Sequence, residues 1–173
     1  MLIQLPSLWI VILDIIAWFI LHMGISLLML KVPDRWFEKE HALFKTRDWE
    51  QNGAIWQKIF RIREWKNYLP DSSSIIKRSY DQSQLQGTDA KRIKKFITET
   101  KRAELTHWLS IPPSLLFFIW NPLWAGIVMI LYAFIVNLPF IITQRYNRPR
   151  LQRLYDRQRR KQENIYSKQK YYT

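Results

Sequence analysis

Glu104 and His107 stand three residues apart in a stretch whose apolar positions, Ile93, Phe96 and Ile97, recur at helical spacing. On a helix that spacing puts the carboxylate and the imidazole on one face. Imidazole titrates near neutrality and can take a proton from a hydroxyl while its other nitrogen is held by a carboxylate. The pair is thus half of a hydroxyl-activating site, and no covalent intermediate is needed if the hydroxyl attacks an acyl donor directly. The plainer alternative is an interfacial helix end, where His107 reaches water and Glu104 pairs with Lys101. Spacing alone leaves both open. The helix that carries the pair begins after Thr88-Asp89, either of which can cap its free N–H groups.

A second group lies in the run Gln144-Arg145-Tyr146-Asn147-Arg148-Pro149-Arg150. Three guanidinium groups and the Asn147 amide follow directly on an apolar stretch that ends at Gln144, and guanidinium offers forked donors suited to phosphate or carboxylate. A positive-inside topology signal accounts for the arginines equally well. Pro149 restrains Arg148 toward extended backbone, which predicts that a helix does not continue straight through.

The elements that must position these residues are membrane segments. Leu8 to Leu30 contains no Lys or Arg and is long enough to cross a hydrocarbon core of about 30 Å as a helix. It lacks the basic n-region and small-residue cleavage site of a signal peptide, and is read as a retained anchor. Trp108 to Gln144 is also free of charge. It is too long for one span and suits two helices joined near Asn121-Pro122, a turn-forming dipeptide. Its first arm is short and carries Pro112-Pro113, so a re-entrant arm is the alternative to a full crossing. All 27 Lys and Arg lie outside these segments, none before the anchor. The positive-inside rule then places the N-terminus outside and the middle segment and C-terminus in the cytoplasm. The expected fold is an all-α, multi-pass protein of the cell membrane. It comprises a transmembrane anchor at 8–30, a basic-aromatic cytoplasmic segment with interfacial helices at 31–107, a transmembrane helical hairpin at 108–143, and a basic helical tail at 144–173.

The middle segment interleaves rings and cations: Trp36, Trp49, Trp56, Phe60 and Trp65 among Arg35, Arg47, Lys58, Arg63 and Lys66. Around Ile55 to Trp65 the apolar positions follow helical spacing, suiting a helix in the headgroup layer or one packed on the hairpin. Ser72 to Thr88 is polar and reads as a loop. The net charge of +13 comes without any helix-turn-helix, zinc-finger or RNA-binding pattern. It is assigned to anionic phospholipid headgroups, with no nucleic-acid partner. The chain has no cysteine, which excludes disulfides and thiol catalysis. Its three histidines, His22, His41 and His107, lack the pairing of a helical metal site, so no metal is expected. Asp14, an acid inside the anchor, needs a partner, for which Asn137 is one option.

The strings ETKRAELTHW (Glu99 to Trp108) and QRYNRPRL (Gln144 to Leu151), with the FKTRDWEQNG–W–K–F–R–WK–LPD pattern from Phe44 to Asp71, resemble the glycosyl-4,4'-diaponeurosporenoate acyltransferase family. These are small bacterial membrane enzymes of carotenoid biosynthesis, assigned the last step to staphyloxanthin. The resemblance covers Val32 to Asp71 and Glu99 to Leu151. It implicates Lys101, Arg102, Glu104 and His107 in the first string, and Gln144, Arg145, Asn147, Arg148 and Arg150 in the second. Phe44, Lys45, Trp56, Lys58, Trp65, Lys66 and Asp71 match the middle pattern as structural positions. His41, His22 and Asp14 fall outside the matched strings.

Residues and resemblance together lead to one expectation. His107, oriented by Glu104, acts as general base on a sugar hydroxyl of a glycosylated carotenoid or related glycolipid. Arg148, Arg145 and Arg102 hold the head of an activated acyl donor and stabilise the oxyanion. Lys101, Gln144, Asn147 and Arg150 complete the substrate-binding set. The donor is expected to be an acyl thioester co-substrate, with no bound cofactor. The competing expectation is a non-catalytic membrane-anchored scaffold or assembly factor that binds anionic lipid.

Overall fold

A computed structural model describes residues 6–69 and 90–171. The polar loop from Ser72 to Thr88, the cap at Thr88-Asp89 and the matched Asp71 lie outside the described residues. Among the described residues all regular structure is helical. The α-helices are α1 (Ser7–Lys31), α2 (Asp34–Glu38), α3 (Ala54–Phe60), α4 (Ile62–Trp65), α5 (Ala90–Leu109) and α6 (Leu123–Tyr171). Shorter 3-10 turns cover Asp48–Gly53, Lys66–Tyr68 and Pro112–Ile119. The chain divides into two compact units, Met1–Lys39 with Arg102–Ile141, and Glu40–Lys101 with Ile142–Thr173.

In the first unit, α1 and the apolar part of α6 are the helices long and apolar enough to cross a membrane. At 1.5 Å per residue, the 25 residues of α1 extend about 38 Å. The first arm of the expected hairpin is short, as its re-entrant alternative has it. Pro112–Ile119 is an eight-residue 3-10 helix, which at about 2 Å per residue reaches roughly 16 Å, about half of a hydrocarbon core. The cause is Pro112-Pro113, which offer no N–H to continue α5. The chain then turns at Asn121-Pro122 into α6, as the dipeptide predicts.

Trp18 of α1 forms the centre of this unit's core. Its ring stacks on Phe117 at 4.7 Å and meets Tyr132 at 5.3 Å, and its Nε1–H points to Met129 Sδ at 3.3 Å. Asp14, one turn earlier, is buried and accepts from Trp120 Nε1 at 2.7 Å and Asn121 Nδ2 at 2.8 Å. Its partners are therefore in the 3-10 arm and the turn, and Asn137 is used elsewhere.

In the second unit Ile93 and Ile97 of α5 bury against Leu151 of α6. The helix expected over Ile55 to Trp65 is broken at Arg61 (φ 49°), which ends α3 in the left-handed region and starts α4. Ile62 beyond the break is fully buried, while Ile59 and Phe60 before it stay exposed. The largest difference from expectation is at Pro149, because α6 runs through it without interruption. Pro149 returns no N–H to the carbonyl of Arg145. That carbonyl lies instead beside Gly53, whose φ of 83° follows left-handed Gln51 and Asn52. A Cβ on Gly53 would sit 3.1 Å from the Tyr146 carbonyl and 3.3 Å from that of Arg145.

Two substitutions test this close approach with opposite signs. Gly53→Ala adds both a positive-φ penalty and a steric one, and destabilises by about 1–2 kcal/mol. Gln51→Gly relieves a left-handed side chain and is neutral or stabilising by up to about 1 kcal/mol. Thermal unfolding in detergent reads both.

Candidate active site

The residues singled out from sequence divide between the two units. In the first, His107 of α5 has Nδ1 2.9 Å from Asn137 Oδ1, and its ring stacks on Phe140 at 4.4 Å, 11° from parallel. Asn137 is fully buried in α6 and donates its amide to the Ala133 carbonyl at 2.8 Å. Asn137 Oδ1 faces the ring and can only accept, so Nδ1 is the donor in this hydrogen bond. In the neutral ring the lone pair is then on Nε2. Glu104 is fully buried one turn before His107 on the same helix.

Arg102 of the same string closes the end of α1. Nη1 donates to the Met29 carbonyl at 2.6 Å and the Val32 carbonyl at 2.8 Å, Nη2 pairs with Asp34, and the guanidinium lies 4.9 Å over Phe37. The last carbonyls of a helix lack N–H partners and sit at its negative end, which a guanidinium serves on both counts.

In the second unit Arg145 and Glu50 form a bidentate pair, Nε to Oε1 at 2.6 Å and Nη2 to Oε2 at 2.8 Å. Arg145 also donates to the carbonyls of Leu43 (3.2 Å) and Lys45 (3.3 Å). Glu50, 1% exposed, accepts in addition from the Arg47 N–H at 2.6 Å and Trp56 Nε1 at 3.0 Å. Burial pushes its carboxyl up, but the Arg145 hydrogen bonds and charge, with the Arg47 and Trp56 donors, outweigh that. The result is a pKa below the usual carboxylate range.

Arg148 is likewise anchored. It donates to Thr100 Oγ1 at 3.2 Å, the Thr100 carbonyl at 3.1 Å and the Phe44 carbonyl at 3.1 Å. Its guanidinium and the Lys101 ammonium both lie over the Phe44 ring, at 5.5 and 5.9 Å. Arg148 and Lys101 line a cavity of about 540 Å³ with His41, Phe44, Gln152 and Arg153. Arg150 lies on another side of α6, 3.5 Å over the Tyr146 ring, with Asn147 Oδ1 3.5 Å from Lys66 Nζ. Gln144 is buried. In the first unit a mostly apolar groove of about 590 Å³ is lined by Val11, Asp14, Trp18, His22, Met129 and Tyr132.

Sequence reasoning did not single out Glu50, Thr100 or Arg63, and gave Asn137 a different partner. Glu50 had a usable signal, a carboxylate inside the matched FKTRDWEQNG string. Asn137 had another, an amide within an apolar membrane run.

Breaking the buried pair tests its weight. Glu50→Gln leaves Arg145 buried without its counter-charge and destabilises the fold by roughly 3–5 kcal/mol. Because the folded pKa of Glu50 lies below the model-peptide 4.5, the pair's contribution is fully present above that pH and is lost as pH falls through the folded value. Acid unfolding followed by tryptophan fluorescence should lose this limb in Glu50→Gln.

Comparison with known proteins places these residues in a family. The sequence profile of the glycosyl-4,4'-diaponeurosporenoate acyltransferases matches residues 33–157. Proteins of that name from Staphylococcus aureus strains bovine RF122 / ET3-1 and MRSA252 are each 42% identical over 137 residues, 79% of this chain and 82% of theirs. That of strain USA300 is 41% identical over the same shares. No solved structure matches the chain. His107, Asn137, Glu50 and the RYNRPR arginines all fall inside the profile, and the chain belongs to the glycosyl-4,4'-diaponeurosporenoate acyltransferase family.

Proposed function

We propose that this acyltransferase esterifies a sugar hydroxyl of a glycosylated carotenoid or related glycolipid with a fatty acyl chain delivered as a thioester. The observation that carries the reading is the His107–Asn137 pair, which holds Nδ1 as a donor and so puts the lone pair of the neutral ring on Nε2. Nε2 takes the proton of the sugar hydroxyl as its oxygen attacks the thioester carbonyl. The C–O bond forms, the C–S bond breaks, and the imidazolium returns its proton to the leaving thiolate. Buried Glu104, one turn away, stabilises the imidazolium by its charge.

The arginines then have distinct tasks. Arg102 and Arg145 are positioning residues, since their donors hold the end of α1 and the 43–50 segment. Lys101 and Arg148 line the second unit's cavity and take a polar or anionic head group there. The apolar groove beside Trp18 takes a lipid chain. The N-terminus lies outside the cell membrane, and the basic segments lie on its cytoplasmic side, where anionic phospholipid attracts them.

In membranes supplied with a fatty acyl thioester and a glycosylated acceptor, His107→Ala lowers transfer about 10²–10⁴-fold. Asn137→Leu lowers kcat more than KM and alters the acid limb of the pH–rate profile. Full transfer by a folded His107→Ala chain would remove the base assignment. No donor-dependent product from the unaltered chain would favour the scaffold. Topology is read separately: the chain has no cysteine, so single cysteines at Ser7 and Arg157 label without background. An impermeant maleimide added to intact cells should reach position 7 and not 157.

A further inference from the structure

His107 is held from two directions, and the acyl-transfer reading uses only one of them. The first is the bond from Nδ1 to Asn137 Oδ1, 2.9 Å long. A ring N–H lies in the plane of its ring, so this bond fixes one in-plane direction. It does not by itself set the plane, and turning the plane about the Nδ1···Oδ1 line redirects the Nε2 lone pair.

Phe140 supplies the missing constraint. Its ring centroid is 4.4 Å from that of the imidazole and the two planes are 11° apart, a face-to-face stack. Turning the imidazole about its hydrogen bond would press one edge into Phe140 and lift the other away. Asn137 and Phe140 are three residues apart on α6 and share a face, so one helix presents both contacts to α5. All three residues belong to the first unit.

The stack also has an electrostatic sense. The face of a benzene ring is negative and attracts a cation lying over it. In the transfer step the imidazole becomes an imidazolium, and that charge develops over the Phe140 face. A leucine there could fill space, but it has neither a flat surface nor a negative face. His107 and Phe140 are both half-buried, so the stack does not seal the imidazole away.

We propose that Phe140 is a positioning residue for acyl transfer. Its ring sets the plane of the His107 imidazole, and with it the direction of the Nε2 lone pair, and it stabilises the imidazolium as that ion forms. The inference rests on His107 being the base. Phe140 acts through His107, and a double-variant cycle separates that role from packing.

Transfer is measured in membranes for Phe140→Leu, Phe140→Tyr and Phe134→Leu, and for Phe140→Leu combined with His107→Ala. Phe140→Leu should lower kcat about ten-fold with KM little changed, the scale of one cation–π contact shielded from water. Phe140→Tyr should recover most of that loss, and Phe134→Leu, at an exposed ring of α6, should leave the rate unchanged. In the His107→Ala background Phe140→Leu should change the residual rate by less than about two-fold, because the group it acts through is gone. Phe140→Met repeats the comparison should the leucine chain fail to accumulate. A slow His107→Ala beside a full-rate, folded Phe140→Leu would overturn this inference and leave the base assignment standing. A loss that Phe140→Tyr does not recover, or that persists undiminished without His107, would overturn it as well and reduce Phe140 to packing. Full transfer by His107→Ala would remove the base assignment, and this inference with it.

Discussion

A carboxylate taken out of water must be matched by a cation whose geometry satisfies it, and the second unit is arranged around one such match. Glu50 is buried, and Arg145 meets it with two parallel hydrogen bonds. Neither partner is tolerable alone, because an unpaired buried charge costs several kcal/mol. The pair therefore imposes a location on everything bonded to it. The remaining donors of Arg145 fix the carbonyls of Leu43 and Lys45, and Glu50 fixes the Arg47 N–H and the Trp56 ring. The left-handed turn through Gln51, Asn52 and Gly53 follows directly, and it brings a glycine against the carbonyl that Pro149 leaves without an N–H. Arg148, three residues along α6, then ties Phe44 and Thr100 and shapes the cavity wall.

The first unit contains helices long and apolar enough to cross a membrane, and in lipid such helices gain little from burying apolar surface against each other. Its fasteners are single polar groups. Asp14 holds the 3-10 arm and turn, Arg102 holds the end of α1, and Asn137 holds His107. Each is a specific, directional contact in a setting where a missed hydrogen bond is expensive. The same contact that orients the imidazole thus also joins α5 to α6, which makes Asn137 both a structural and a positioning residue.

Much of this was readable in the residues. Long apolar runs without Lys or Arg marked α1 and the apolar part of α6, and helical periodicity from Ile93 onward marked α5. Asn121-Pro122 marked the turn. The resemblance carried by ETKRAELTHW and QRYNRPRL led to the family. The failures have physical causes. A hydropathy run does not distinguish a spanning arm from a short 3-10 arm, because that depends on how Pro112-Pro113 interrupts hydrogen bonding. Pro149 passed for a helix stop because local sterics argue that way, whereas tertiary contacts at Gly53 and Glu50 hold the helix continuous. Pairings across long stretches of chain, Glu50 with Arg145 or Arg63 with Tyr146, have no periodic signature at all. Arg102, Arg145 and Arg148, which look like ligand-binding groups by type, also donate to backbone carbonyls that no local pattern points to.

The claim on which the functional reading stands is that this chain joins an acyl group to a lipid-linked sugar hydroxyl. Comparative lipid mass spectrometry of cells with and without the chain tests it most directly. The reading predicts that one acylated glycolipid disappears when the chain is absent, that its unesterified hydroxyl precursor accumulates, and that re-expression restores the ester. An identical lipid profile in the two strains, under conditions where the chain is made and inserted, would contradict it.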